Sequence, residues 1–544
     1  MDDMEKRGLF AIVLCLLILF SWQFFMAQKK GGSHNQPPSV KTTAEIQPGT
    51  PIVTKEKGTL ASTQTSSDLP EKEMVIETPL YKAIFSTRNG GIKSWQLKTY
   101  HDRIGKDAQW VEMIHQKNPA SRPLYLTLQL PGYQIQRDFN YDIKSQTPYE
   151  LILVYRDRLI EIERTYRFKV DSYEFQHWVS IRPVSKKGEA LFQARTGEIY
   201  VGLSEESQPL VSKGLFGAPY ANQRNFLYLI HNKATRKPVV KSNENEEIKQ
   251  VVEWMGIEDR YFVSVLINRS FLKPYLFITK PDSENHAIEL QFPFHREPSK
   301  EAIEMAFTGY LGPKELNTLE KVDPTLEHTI DFGMFSFFCI LLLKVLNFFY
   351  KFVGNYGISI ILLTLLIRGL FHPLTKKSLQ SMREMQRIQP EMAKIKEQFK
   401  DDKERMNKEI MELMKTHKVN PLGGCLPLLF QMPIFFALYR LLYNAIELYQ
   451  APFFGWIQDL SAKDPYYITP VLMGISMFLQ QKMTPSTSMD PAQQKMLMFM
   501  PLIFSFFMIS LPSGLVIYIL FSTVLQVASQ YVVNREFAKK QNQY

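Results

Sequence analysis

Apolar and polar positions divide the 544-residue chain into stretches suited to different solvents. Residues 9–26 are apolar and just long enough for a short membrane-spanning helix, so we predict a retained anchor over 1–26. Residues 27–70 are rich in Ser, Thr, Pro, Gln and Lys and hold too little apolar surface to fold, which predicts a flexible linker. Residues 71–330 have the pattern of a soluble domain, and 331–535 alternate between apolar spans and one charged segment. The pattern predicts a multi-domain membrane protein.

The soluble stretch shows the alternation of period two that is typical of half-buried strands. Ile160, Ile162, Tyr166 and Phe168 are separated by polar or charged residues, and Asn89-Gly-Gly91 is a turn signal. Similar strand-like runs are 124–130, 261–267 and 288–292. The sequence therefore predicts a large antiparallel β-sandwich, exported from the cytoplasm, over residues 71–330.

The predicted sandwich has no spacing typical of a metal site or of an activated nucleophile, although it contains several histidines and many carboxylates. The three cysteines, Cys15, Cys339 and Cys425, all lie outside it, so we expect no disulfide framework there. We therefore expect a binding or spacing module that is not an enzyme and holds no metal or cofactor. The alternative is a membrane-anchored carbohydrate-active enzyme that uses this domain.

Five further apolar segments are predicted to span the membrane as helices. They cover residues 356–374, 427–446, 466–481, 495–511 and 512–532. Twelve Lys or Arg residues lie in 375–426, whereas Lys463 is the only one in 447–465. Because cytoplasmic loops are rich in Lys and Arg, 375–426 and the C-terminal tail, 536–544, are predicted to be cytoplasmic.

The segment 331–351 decides the number of spans. If it crossed the membrane, the twelve cations of 375–426 would lie on the outer side. Lys344 and Lys351 also fall near one stripe of a helix drawn through this segment. We therefore predict an amphipathic helix in the outer interface, followed by an all-α core of five transmembrane helices over 352–535. With the anchor this gives six spans and places both termini in the cytoplasm.

The charged segment 375–426 has apolar residues at helical spacing on both sides of a turn at 400–403. Asp402 is suited to cap the second helix, so we predict a cytoplasmic helical hairpin with one apolar seam. A self-packed, solvated hairpin explains this pattern, and a docking face for incoming chains or ribosomes is the functional interpretation. The net charge of +10 is expected on loops beside a membrane, and no cationic stripe is interleaved with aromatic residues, so direct nucleic-acid recognition is not expected.

Arg368 is a cation placed within the predicted core span 356–374. Its guanidinium cannot be neutralised at biological pH, and placing it in the bilayer centre costs roughly 3 kcal/mol or more. Such a charge predicts a water-filled cavity, a partner or a function. The alternative is that Arg368 reaches the membrane interface, because Pro373 and Lys376 place the predicted helix end about two turns further on.

Other polar residues within the spans indicate a surface that Arg368 shares. Thr364 lies one turn before Arg368 on the same helical face, and Gln431 and Gln526 lie in other spans. Together with scattered methionines, which suit varied apolar partners, they predict a partly hydrated groove. Such a groove lowers the cost of moving a polar segment into the bilayer. The alternative is a small-molecule or anion transporter or channel in which Arg368 binds the anion.

Several short motifs of the membrane half occur in an order characteristic of one family. They are Gly357-Ile-Ser-Ile-Ile-Leu-Leu-Thr-Leu-Leu-Ile-Arg368, Pro373-Leu-Thr-Lys376, Val419-Asn-Pro-Leu-Gly-Gly-Cys-Leu-Pro427, Gln431-Met-Pro-Ile-Phe435 and Pro512-Ser-Gly-Leu-Val516. In these residues the chain resembles the YidC family of membrane protein insertases. The anchor and the exported sandwich resemble the long Gram-negative form of that family.

The resemblance implies a five-helix core with a hydrophilic groove that opens to the cytoplasm and to lipid and is closed outward. It places Arg368 and Thr364 in that groove, and we predict that Gln431 and Tyr518 are further substrate-binding residues of the groove. Tyr518 is followed by Ile519, where the family often has a second tyrosine.

The function implied by the resemblance is that of an insertase and chaperone for inner-membrane proteins, working alone or with the Sec translocon. The implied partners are nascent membrane proteins, the Sec translocon, the ribosome and membrane lipids. The implied location is the bacterial inner membrane, with a large periplasmic domain.

Overall fold

The computed structural model describes residues 70–135, 139–193, 197–206, 224–239, 246–281, 284–293, 302–417, 419, 426–483 and 491–541. The predicted anchor, and all of the predicted linker except Pro70, lie outside the described residues. The predictions made for them, including the location of the N-terminus, therefore stay predictions.

The exported domain is built from antiparallel strands, as the alternation predicts. Its strands are β1 (Glu73–Glu77), β2 (Tyr81–Ser86), β3 (Ile92–His101), β4 (Trp110–Glu112), β5 (Tyr125–Leu130), β6 (Tyr133–Ile135), β7 (Asp142–Gln146), β8 (Glu150–Arg156), β9 (Ile160–Phe168), β10 (Glu174–Pro183), β11 (Glu198–Glu206), β12 (Asn225–Ile230), β13 (Lys233–Pro238), β14 (Glu246–Ile248), β15 (Trp254–Glu258), β16 (Phe262–Asn268), β17 (Tyr275–Thr279), β18 (Asn285–Pro293) and β19 (Ile303–Pro313). They form a nine-stranded sheet (β13-β12-β15-β16-β19-β10-β9-β8-β7), a six-stranded sheet (β14-β17-β18-β11-β5-β6) and a four-stranded sheet (β1-β2-β3-β4). The described strand pairs are antiparallel, which confirms the predicted sandwich.

The alternation in sequence becomes an alternation in burial. On β9, Ile160, Ile162, Tyr166 and Phe168 are buried, whereas Arg167 is exposed. Because successive side chains of a strand point to opposite faces of its sheet, one apolar set lies in the core.

Arg164, also on β9, is fully buried in this domain. It donates hydrogen bonds to the carbonyl oxygens of Asn89 (from Nη1, 2.9 Å) and Leu124 (from Nη2, 2.6 Å) and to His177 Nε2 (from Nε, 3.2 Å). Asn89, in the predicted turn, has a φ of 63° and Leu124 a φ of 69°, a left-handed conformation that few non-glycine residues adopt. The guanidinium therefore holds two strained turns against a central strand.

Burial, reinforced by the Arg164 guanidinium, lowers the pKa of His177 well below its ordinary value. Below about pH 6.5 the unfolded chain binds a proton at this histidine and the folded domain does not. The contribution of His177 to the free energy of unfolding is therefore fully present above that pH and is lost on acidification. We expect a loss of ~2 kcal/mol from this group between pH 7.5 and 5. The urea midpoint of the full chain, measured by proteolysis, should fall less between pH 7.5 and 5 in His177→Gln than in wild type. Equal falls in the two proteins would contradict this prediction.

Helices connect the sheets and form the membrane half. In chain order they are α1 (Lys186–Gln193), α2 (Leu316–Val322), α3 (Ser336–Val353), α4 (Tyr356–Gln398), α5 (Lys403–Thr416), α6 (Leu426–Asn444), α7 (Ile468–Met483), α8 (Pro491–Met508) and α9 (Ser513–Gln541). A helix lies at each of the five predicted core spans, which agrees with the predicted all-α core.

The helix that carries Arg368 is much longer than its predicted span. α4 runs without interruption from Tyr356 to Gln398 and contains Pro373 and Pro390. The expectation that this helix ends about two turns after Arg368 is therefore wrong. A proline removes one backbone hydrogen bond, but the neighbouring turns and helices keep a membrane helix continuous. α4 thus extends from the predicted span into the predicted cytoplasmic hairpin.

Within the described part of the chain, α3, α4 and the Ser513–Glu536 part of α9 are long and apolar enough to cross a membrane. α8 contributes a shorter apolar stretch, Met498–Met508. The length of α3 therefore does not decide whether this helix spans the membrane or lies in the outer interface, as predicted for 331–351. α3 buries Cys339 and exposes Lys344, and its interfacial position stays a prediction.

The hairpin of α4 and α5 has the predicted cap. The Asp402 carboxylate accepts a hydrogen bond from the Arg405 amide at 3.0 Å and so caps α5. Asp402→Ala should cost ~1 kcal/mol of helix stability, and hydrogen exchange of the first-turn amides of α5 should become several-fold faster. Asp401→Ala removes a neighbouring carboxylate that is not the cap and should change exchange little. Equal effects of the two substitutions would rule out the capping role.

The exported domain contacts the last turn of α6 and the loop that follows it. Arg260 Nε donates to the Tyr443 carbonyl oxygen at 2.7 Å, and its guanidinium lies 3.7 Å from the centroid of the Tyr443 ring. The Tyr449 hydroxyl and the Gln450 side-chain amide both donate to the His101 carbonyl oxygen, at 2.6 and 2.8 Å. These contacts join the end of α6 and the loop between α6 and α7 to the sandwich.

Candidate functional site

Arg368 lies where α4 packs against α9. Its Nε and Nη2 donate to the Ser522 hydroxyl at 3.0 and 2.5 Å. Its Nη1 donates to Gln526 Oε1 at 2.7 Å. Both partners lie on α9, so the guanidinium joins the two helices within their apolar stretches.

Tyr518, Ser522 and Gln526 follow one another at intervals of four residues, so they lie along one face of α9. Gln431, on α6, donates through Nε2 to the Tyr518 hydroxyl at 3.3 Å, and Tyr518 lies one turn before Ser522 on α9. We call these five residues, Arg368 included, the Arg368 network. It connects α4, α6 and α9 and brings together three of the four predicted groove residues.

Thr364 is the predicted groove residue that the described hydrogen bonds do not connect to the Arg368 network. It is buried, and its hydroxyl donates to the Ile360 carbonyl oxygen, one turn earlier, at 2.6 Å. Threonine hydroxyls within helices often make this bond to their own backbone. A role for Thr364 in binding substrate therefore stays a prediction.

The Arg368 guanidinium is hydrogen-bonded without being neutralised. The described partners of its donors are a hydroxyl and a carboxamide, both uncharged. The side chain is partly buried, and electrostatic attraction is stronger there than in bulk water. The arrangement can therefore attract an acidic group that enters beside α4 and α9.

Sequence reasoning missed Ser522 and identified Gln526 only as one of several polar residues within the spans. The spacing of four residues from Tyr518 to Ser522 to Gln526 is the signal that finds both. Ile519, which departs from the family pattern, is buried in the apolar core.

The exported domain contains a cavity of about 30 Å³, lined in part by His115, Glu205 and Arg224. Arg224 already pairs with the Glu205 carboxylate at 2.5 Å and contacts His115 at 2.7 Å. The cavity therefore does not favour the carbohydrate-active alternative.

Two family models match the chain and between them reach from the first strand to the last described helix. Residues 73–345 match the model described as the YidC periplasmic domain, and residues 348–541 match the model described as 60Kd inner membrane protein. These matches and the apolar helices place the chain in the inner membrane, with a periplasmic domain.

Curated relatives match over nearly the whole length. The membrane protein insertase YidC of Syntrophus aciditrophicus is 36% identical over 98% of this chain and 100% of the relative. That of Geobacter sulfurreducens is 34% identical over 98% of this chain and 99% of the relative. The crystal structure of YidC from Thermotoga maritima covers 85% of this chain and 97% of its own, at 16% identity and a TM-score of 0.31. From the matches of both domains and of the full-length relatives, we conclude that this chain belongs to the YidC family.

Proposed function

We propose that this chain inserts membrane proteins into the bacterial inner membrane and assists their folding. The observation that carries the proposal is the Arg368 network, in which a guanidinium inside an apolar helix is bound by neutral partners on another helix. Family membership supports it, because the full-length relatives are named membrane protein insertases.

The proposed groove is walled by the Arg368 network and by apolar side chains of the surrounding spans. A polar segment loses water on entering lipid, and each unpaired polar group then costs roughly 2–7 kcal/mol. Hydroxyl, amide and guanidinium groups replace part of that water, and the fixed positive charge attracts acidic residues. No covalent bond is made or broken in this process. We therefore infer that the chain is an insertase and chaperone, not an enzyme, and needs no cofactor.

The distribution of charge supports a topology with both termini in the cytoplasm and with α3 in the outer interface. We infer that the cationic hairpin, 375–426, receives nascent membrane proteins beside the ribosome, and that the core works alone or with the Sec translocon. Membrane lipids are the remaining proposed partner, because α4 and α9 expose apolar side chains such as Leu370 and Val524.

Reconstitution tests the proposal. The purified chain, in vesicles of phosphatidylethanolamine and phosphatidylglycerol, should insert a short single-span substrate so that its translocated tail resists external protease; protein-free vesicles should not. A photocrosslinker at Gln431 or Tyr518 should capture the substrate. The same crosslinker at Val524, exposed on the opposite face of α9, should capture much less. Saturable anion flux without substrate insertion would instead support a transporter.

Deletion of residues 71–330 should leave much of the insertion activity, because the Arg368 network lies entirely in the helical half. The variant should be less stable, since the contact of Arg260 with the end of α6 and that of His101 with the loop after α6 are lost. Insertion per folded molecule, with folding checked by size-exclusion chromatography, is the quantity to measure. A well-folded variant without any insertion would show that the exported domain carries the activity.

A further inference from the structure

The Arg368 network contains two acceptors of different mobility. Ser522 is 6% exposed and accepts from both Nε and Nη2 of Arg368, so it fixes the orientation of the guanidinium. Gln526 is only partly buried, has a long flexible side chain and accepts from Nη1 alone. Of the two, the Gln526 amide can move away while the guanidinium stays in place.

The Gln526 amide oxygen lies 2.7 Å from Nη1, within the range at which a carboxylate oxygen binds a guanidinium. A carboxamide has the shape of a carboxylate without its charge. The bond to the amide is already assisted by the charge on Arg368. A carboxylate adds the attraction between opposite charges, so an acidic side chain can displace this amide, whereas a neutral side chain gains little by doing so.

We propose that Gln526 is a specificity-determining residue of the groove: its amide occupies the Arg368 donor that an acidic residue of an incoming chain would take, and it thereby sets the preference for acidic over neutral translocated tails. This inference rests on the proposed insertase function. Gln526 acts through Arg368, so it is a positioning residue whose effect depends on the charge of the tail.

The other members of the Arg368 network do not have this role. Gln431 and Tyr518 are hydrogen-bonded to each other, and Ser522 is too enclosed to give way to a substrate side chain. We therefore assign the replacement of the Gln526 amide by a substrate carboxylate to Nη1 of Arg368.

Two substitutions should change the preference in opposite directions. In Gln526→Glu a permanent carboxylate pairs with Arg368 and competes with the tail, so the ratio of acidic-tail to neutral-tail insertion should fall about tenfold. In Gln526→Leu the competing acceptor is absent, so the same ratio should rise about threefold. Thr523→Val removes a hydroxyl that donates to the Ile519 carbonyl oxygen, one turn earlier on α9, and should leave the ratio unchanged.

The test uses the full-length chain in proteoliposomes and one single-span substrate whose translocated tail carries either two Asp or two Asn. The ratio of acidic-tail to neutral-tail insertion is measured with the same protein preparation, so a loss of folded protein does not alter this ratio. Ratios that move in opposite directions in the Glu and Leu variants support the proposal. In the Arg368→Ala background the rise caused by Gln526→Leu should vanish. Ratios within twofold of wild type in both variants would overturn it. If wild type inserts neither tail, the insertase function itself fails, and the inference fails with it.

Discussion

Replacing Arg368 with alanine should reduce the insertion of a substrate with an acidic translocated tail by about tenfold or more. A hydrogen bond to a charged group contributes about 1.5–3 kcal/mol, which corresponds to a factor of ten or greater. The substitution also leaves the Ser522 hydroxyl and the Gln526 amide without their shared donor. A tail without acidic residues has no charge for the guanidinium to attract, so its insertion should fall much less.

Arg368→Lys separates the charge from the geometry of the guanidinium. Lysine keeps the positive charge but lacks the planar fork that reaches Ser522 and Gln526 at the same time. We expect charge to matter more than the fork, so the lysine variant should insert acidic tails better than the alanine variant. Insertion of acidic and neutral tails into proteoliposomes, measured by protease protection, gives the comparison.

Lys344→Ala is the matched control for removal of a cation from an apolar helix. Lys344 is exposed on α3 and belongs to no contact of the Arg368 network, so its loss should change the acidic-to-neutral ratio little. Equal insertion of acidic tails by Arg368→Ala and Arg368→Lys would count against an electrostatic role. So would labelling experiments that find the network inaccessible to water.

The strands were predictable because their signal is local. The alternation over 160–168 fixes both the type of β9 and the face that it buries, without knowledge of any other strand. The sheet order is different: β10 pairs with β19, and Glu174 lies opposite Tyr310. Pairing between strands so far apart in sequence depends on the packing of the whole domain, and a local sequence pattern cannot predict that packing. The sequence could therefore predict an antiparallel sandwich but not its three sheets.

The helices show where a local signal misleads. Pro373 and the cations that follow it are ordinary signs of a helix end, yet α4 continues to Gln398. The cost of a single proline is small beside the packing of a long helix against its neighbours, here α9 and α5. The same tertiary context decides the site, because only the packing of α4 on α9 shows that Ser522 and Gln526, and not Thr364, contact the guanidinium.

Arg164 is a residue that the alternation itself exposes as unusual. It falls between Ile162 and Tyr166 on the apolar face of β9, where a charged residue is not expected. The structure gives the reason, since the guanidinium donates to two backbone carbonyl oxygens and one histidine nitrogen of the core. An arginine inside a strand pattern thus marks a side chain that organises turns from elsewhere in the chain.

Arg164→Ala should destabilise the exported domain by roughly 3–5 kcal/mol. It removes the donor for the buried carbonyl oxygens of Asn89 and Leu124, which then remain unpaired in the left-handed turns that the guanidinium holds. It also leaves a cavity between the rings of Tyr141 and Tyr166, which lie 5.6 and 5.4 Å from the guanidinium. Arg164→Lys, which keeps the charge but loses the three-way geometry, should lie between alanine and wild type.

Arg167→Ala is the matched control on the same strand. Arg167 is exposed and pairs with Glu150 at 2.6 Å, and an exposed ion pair contributes only about 0–1 kcal/mol. Proteolysis of the full-length chain across a urea series, with cleavage sites in the exported domain identified by mass spectrometry, measures both variants under the same conditions. A loss in Arg164→Ala no larger than that in Arg167→Ala would mean that the buried guanidinium does not hold the two turns, and the strained φ angles at Asn89 and Leu124 would need another cause.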